Sequence, residues 1–206
     1  MGNREEFLDK IVEMEWKMFQ NVQNRGGRAQ CQDDFKTFEI MRKSQGISWS
    51  EGTLESYLND LNEAKRTGRN LITEKYARMM KSTAPSEYAR ITHMIPQVDT
   101  EVVSLIDKIA EIMIAWEEEL SEKYSYVVER GRPLRSSEDS PLVTSLETYL
   151  RAELETYSKK TIELYYENIM NQNAEDVNGA KITLDYMVKQ YGYESLEEAN
   201  EKMRSR

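Results

Sequence analysis

The sequence predicts an all-α fold: an irregular bundle of about seven or eight helices, in one domain spanning residues 1–206. Three observations carry this. Apolar residues recur three and four apart along nearly the whole chain, the spacing that lines one face of a helix. Gly and Pro punctuate those periodic segments, and Ser, Asp or Asn stand where several of them begin, as helix ends require. Strand-type alternation and β-branched runs are missing.

The elements follow in order. A first helix covers 4–23, with Phe7, Leu8, Ile11, Val12, Met18, Phe19 and Val22 on one side. A loop at 24–32 leads to a second helix from about Asp33 to Gln45, carrying Phe35, Phe38 and Met41. Ser48-Trp49-Ser50-Glu51 reads as a capping box opening a third helix through Leu54, Leu58 and Leu61. Gly68 breaks it, and Asn70 to Ser82 forms a fourth with Leu71, Ile72, Tyr76 and Met79. Pro85 suits the first turn of a short helix that Pro96 closes. The longest apolar pattern starts after Asp99 and runs through Val102, Ile106, Ile109, Met113, Trp116 and Leu120. A loop at 130–141 with Pro133 and Pro141 ends it. A further long helix is expected from about Leu142 to Met170, then one to Tyr191. Ser195 and Glu198 form a capping box for a last helix to Met203.

Composition narrows the function. A formal charge of -9 argues against broad nucleic-acid binding, which needs many Lys and Arg contacts to phosphate. It equally disfavours adhesion to an anionic membrane surface. Glu5 and Glu6 stand where a signal peptide wants a basic run, and no apolar run approaches the roughly 20 residues of a membrane span. The single cysteine, Cys31, excludes an internal disulfide framework and fits a reducing compartment. These features point to the cytoplasm.

Several charges fall inside apolar stripes when residues are placed at roughly 100° per step. Glu15 lies near the centre of the first helix's hydrophobic arc. Arg42 and Gln45 stand beside Phe35, Phe38 and Met41, and Lys75 lies between Leu71/Ile72 and Met79. A charge placed there must be paired or neutralised, because desolvating it alone costs several kcal/mol. Glu15 is expected either to pair with Arg42 or Lys75 in the interior or to serve a functional role. Later in the chain Glu147, Arg151 and Glu155 follow one another at four-residue spacing, with Tyr149 and Glu153 in a neighbouring row. Glu147 and Glu153 flank Leu146, Leu150, Leu154 and Tyr157 and touch the core edge, whereas Glu155 reads as solvated.

Two arginine-rich connections are out of character for an acidic helical chain: Asn24-Arg25-Gly26-Gly27-Arg28 and Arg130-Gly131-Arg132-Pro133-Leu134-Arg135. Gly lets backbone approach a ligand closely, and Arg brings a permanently charged fork that fits carboxylate or phosphate. Other motifs fail. Arg130-Gly131-Arg132-Pro133 copies an AT-hook core but lacks basic flanks. His93 is the sole histidine, so a di-iron bundle with two Glu-x-x-His pairs is excluded. No metal site or cofactor is expected; Mg²⁺ is compatible with carboxylates plus a bound phosphate, but no motif supports it. Asp33-Asp34 with Glu39 is better explained by the helix dipole than by metal. Cys31 is expected to be a small buried thiol and His93 a core-edge histidine.

The strings Met18-Phe-Gln-Asn-Val-Gln-Asn-Arg-Gly-Gly-Arg-Ala-Gln-Cys-Gln-Asp-Asp34, Phe38-Glu-Ile-Met-Arg-Lys-Ser-Gln45, Glu74-Lys-Tyr-Ala-Arg-Met-Met80, Arg130-Gly-Arg-Pro-Leu134 and Thr144-Ser-Leu-Glu-Thr-Tyr-Leu-Arg151 resemble a family of small bacterial proteins known as domain of unknown function 4125. The similarity covers nearly the whole chain. It implies a single-domain bacterial protein and brings no catalytic residues.

Two functions stay open. In the first, the arginine loops converge on a pocket for an anionic small molecule bearing phosphate or carboxylate. Asn24, Arg25, Gly27, Arg28, Arg42, Lys75, Arg130, Arg132 and Arg151 would bind it, and Glu15, Glu147 or Glu153 would supply acid or base. In the second, the protein is no enzyme but a helical adaptor whose loops grip acidic groups of a partner protein. A concave pocket favours the first, a broad exposed apolar patch the second.

Overall fold

A computed structural model describes residues 2–23, 27–129 and 131–205, and among these it contains eleven α-helices and no strand. They are α1 (Gly2–Gln20), α2 (Phe35–Gly46), α3 (Glu51–Thr67), α4 (Leu71–Thr83), α5 (Pro85–Ile91), α6 (Thr100–Lys123), α7 (Ser125–Val128), α8 (Leu146–Leu154), α9 (Lys159–Ala174), α10 (Gly179–Gln190) and α11 (Leu196–Arg204). The all-α class holds; the count of seven or eight is corrected to eleven.

The additional helices come from breaks that periodicity does not reveal. The segment expected as one helix from Leu142 to Met170 is two. Ser158 caps α9 by accepting from the Thr161 N–H, and Asp60 of α3 accepts from both the Ser158 N–H at 2.9 Å and the Thr161 hydroxyl at 2.7 Å. Those bonds hold the chain in a turn between α8 and α9 while Thr156 and Tyr157 stay buried. Residues 142–145 are also outside the helix, because Asp139 captures the Ser145 N–H and the Thr148 hydroxyl and ties the preceding loop across its start. Near position 50 the N-cap of α3 is Ser50, whose hydroxyl accepts from the Thr53 N–H. Gly68 ends that helix in the left-handed region, at φ 72°, as the sequence predicts. Asn70, Pro85, Asp99 and Ser195 mark helix starts as expected.

Helix contacts close a ring in which α1 packs on α3, α3 on α9, α9 on α6, α6 on α10, α10 on α2, and α2 back on α1. A second path runs from α1 through α4 and α8 to α6. The long helix α6 is the pillar common to both, burying Val102, Ile106, Ile109, Ala110, Ile114, Trp116 and Leu120 at helical spacing. One apolar cluster extends from Leu8 to Ala199. Within the first path, Gly46 lets α2 approach α1: a Cβ at that position would overlap Leu8 Cδ2.

Candidate functional site

Four charged side chains leave four different helices and meet in the interior. Glu15 (α1) is fully buried, and Arg42 (α2), Lys75 (α4) and Glu153 (α8) are nearly so. Arg42 Nε and Nη2 donate to the two Glu15 oxygens at 2.6 and 2.5 Å, and Nη2 also lies 2.8 Å from Glu153 Oε1. Arg42 Nη1 donates to Gln45. Lys75 Nζ stands 3.4 Å from Glu153 Oε2 and donates to the Tyr149 hydroxyl at 2.8 Å. Tyr57 donates to Glu15 at 2.6 Å and Tyr157 to Glu153 at 3.0 Å. The two carboxylates and two cations cancel, which is what lets charges survive in a low-dielectric core.

The electrostatics follow from this neutrality. Burial on its own would raise the Glu153 carboxyl, but Arg42 and Lys75 outweigh it and hold the group at about 2. Burial would lower Lys75 and Arg42, yet their carboxylate partners keep both above their ordinary values. Burial, reinforced by Glu15 and Glu153, pushes the Tyr57 and Tyr157 phenols up, so both remain protonated donors.

This network forms one side of a cavity of about 180 Å³ lined by α2, α6, α8, α9 and α10. Its wall is mainly apolar and aromatic, including Trp49, Met113, Trp116, Leu150 and Tyr165, with Gln45, Glu153 and Tyr157 contributed by the charged cluster. On the α6 side stands Glu117, a residue that the sequence reading did not single out. Among the described residues it has no hydrogen-bond or ion-pair partner, and burial alone pushes its carboxyl up to about 7. The signal was legible: Met113 four residues before it and Leu120 three after place it at the edge of the apolar stripe. The run Glu117-Glu118-Glu119 masks it as a solvated face.

The structure therefore gathers Glu15, Arg42, Lys75 and Glu153, and separates them from Glu147 and Arg151. Glu147 accepts from the Ser136 N–H at 3.0 Å, which lowers its carboxyl, and from Arg151 at 3.2 Å. Arg151 also pairs with Asp107 of α6. These residues anchor the loop before α8 on its outer side. Glu155, expected in solvent, receives 2.8 Å from the buried Arg78, another interior cation, whose Nη2 donates to the Pro96 carbonyl.

The arginine loops are occupied by their own surroundings. Arg28 donates to Asp33 and to the Gln32 carbonyl, both at 2.8 Å, and to Gln20. Gly27 adopts φ 85°, a conformation that favours glycine. Asn24, Arg25 and Arg130 lie outside the described residues. Arg132 is exposed; it donates to the Thr144 carbonyl at 3.1 Å and lies over the Tyr149 ring at 4.9 Å. Burial raises the Tyr76 phenol; Lys75 and Arg132 act against it, and Tyr149 and Cys31 add to it. Two minor expectations are corrected: Cys31 is exposed, not buried, and His93 is exposed, not at the core edge, because each sits in a short 3-10 turn outside the packed helix faces. No cluster of three or more His, Cys, Asp or Glu able to hold a metal exists among the described residues, and none of the helices there is long and apolar enough to cross a membrane.

Residues 5–201 match the family model described as "Protein of unknown function (DUF4125)". No curated protein and no solved structure matches the sequence.

Proposed function

The chain belongs to the DUF4125 family, and we propose that it is a small-molecule-binding protein whose site is the cavity between α2, α6, α8, α9 and α10. The observation that carries this is the pairing of a largely apolar hollow with a few polar groups fixed at its wall, the usual make-up of a ligand site. The buried network is its scaffold. By holding Glu153 ionised and Tyr157 as a donor, it sets the polarity of one wall.

Catalysis by Glu15 or Glu153 is a weaker reading. Both are consumed by Arg42, and a carboxyl held at about 2 gives up its proton too readily to act as a general acid near neutrality. The anionic-ligand reading keeps Arg132 as the described loop guanidinium without a carboxylate partner. It comes second, because among the described residues the cavity wall carries Glu117 and Glu153 and no Lys or Arg. The adaptor reading draws on an open groove lined by Trp16 and Phe35. Asp9, Glu13 and Glu39 outnumber Lys17 along that groove, a net charge of the wrong sign for gripping acidic groups.

Native mass spectrometry of protein purified from its own host tests the cavity reading. A retained small molecule is expected in the parent and its loss in Thr183→Trp, which fills the cavity from α10. A parent that carries no added mass, and whose melting midpoint no compound in a fragment panel raises, overturns the reading.

A further inference from the structure

We infer that the molecule bound in this cavity is an apolar-bodied amine, with a protonated nitrogen meeting the Glu117 carboxylate and an aromatic or compact alkyl body filling the hollow. This rests on the cavity reading above. Three observations converge on it. The first is a mismatch in pairing. The buried carboxylates Glu15 and Glu153 have Arg42 and Lys75, and Glu155 has Arg78; Glu117 lines the same hollow as Glu153 and has no cation partner among the described residues. Glu117 is partly buried; withdrawing a carboxylate from water without a partner is costly, and a ligand ammonium would supply one.

The second is the chemistry that each neighbouring element brings to the cavity that Glu117 lines. Helix α2 offers Met41 and Gln45, α8 offers Tyr149, Leu150 and Glu153, α9 offers Tyr165 and Ile169, and α10 offers Thr183 and Met187. The titratable members are phenols and a second carboxylate, and that carboxylate is already neutralised by Arg42 and Lys75. On α6 itself, Glu118 is engaged by Arg135. An anion would thus meet acidic groups, whereas a cation meets the Glu117 carboxylate in a wall built of the aromatic side chains Trp49, Trp116 and Tyr165.

The third is size. A void of about 180 Å³ exceeds the roughly 150 Å³ apolar cavity known to admit benzene, leaving room for one ring and a short aminoalkyl arm. A carboxyl that titrates near neutrality can also take the amine in either protonation state: a neutral amine receives its proton, and an ammonium meets the ionised form.

Isothermal titration with benzylamine, benzyl alcohol and benzoate at pH 7.5, on the parent and on Glu117→Gln, tests the assignment. Benzylamine is expected to bind at least tenfold more tightly than benzyl alcohol, and Glu117→Gln to erase that preference while leaving the alcohol's affinity unchanged. Circular dichroism checks that the variant is folded. Equal binding of amine and alcohol by the parent, a preference that survives in Glu117→Gln, or tightest binding by benzoate would each overturn the amine assignment while the cavity reading stands. No binding by any of the three compounds overturns the assignment, and only the retained-ligand experiment then speaks for the cavity.

Discussion

Arg42 and Glu153 meet through a nitrogen that Glu15 already holds: Nη2 of Arg42 lies 2.8 Å from Glu153 Oε1 and 2.5 Å from Glu15 Oε1. One guanidinium thus bridges carboxylates from α1 and α8, two helices far apart in sequence. Together with Lys75 it makes the buried cluster neutral, and neutrality is the condition for its survival.

Removing Arg42 alone should therefore be severe. Arg42→Met leaves two buried carboxylates facing Lys75, and we expect a loss of about 3–5 kcal/mol in urea unfolding at pH 7. Replacing Glu15, Arg42, Lys75 and Glu153 together by Leu or Met should recover most of it, since no charge is then stranded. A single substitution as mild as the fourfold one would show that the bridge is not what holds these helices.

Glu153 fixes the acid limb. Its carboxyl is depressed from 4.5 to about 2, so its contribution is present above the unfolded value and is lost as pH falls through the folded one. That depression corresponds to roughly 3 kcal/mol at neutral pH, as an order of magnitude. Glu153→Gln should cost most above pH 5, and its deficit relative to the parent should shrink between pH 4 and pH 2. Urea midpoints across that range measure it.

Glu117 has the opposite sign. Its folded value is raised to about 7, so the ionised form penalises folding above pH 7, and the penalty disappears as pH falls through the unfolded value of 4.5. Glu117→Gln should stabilise the ligand-free protein at pH 8 by about 1–3 kcal/mol and make little difference at pH 4. A destabilised variant at pH 8 would mean that the carboxylate has a partner in solution.

Gly46 tests the packing of α2 on α1. A methyl group there overlaps Leu8 Cδ2, so Gly46→Ala should cost about 1–3 kcal/mol despite the better helix propensity of Ala. Thermal unfolding of Gly46→Ala alone and with Leu8→Ala separates the clash from propensity; the second change should relieve part of the first.

Ser158 tests the break between α8 and α9. Ser158→Ala removes the cap on the Thr161 N–H and should cost about 1 kcal/mol in chemical denaturation. An unchanged midpoint would place the cause of the break in Asp60 and the buried Thr156 and Tyr157 instead.

Local information was enough for much of this protein. Three- and four-residue spacing marked the buried faces of α1, α3, α4 and α6, and caps such as Asn70 and Ser195 marked helix starts, because helix periodicity and capping involve residues within a turn of one another. The same angular reasoning found Glu15, Arg42 and Lys75 on apolar arcs, and family membership was readable from contiguous strings. Partnership was not local. That Arg42 would take Glu15 and Glu153 together, that Glu147 would turn to Ser136, and that the segment after Leu154 would break under the pull of Asp60 all depend on residues well beyond one helical turn away in the chain. The cavity and the Glu117 on its wall, which has no partner among the described residues, are likewise products of helices meeting in space, where the closing of a ring determines which stripe edge is covered.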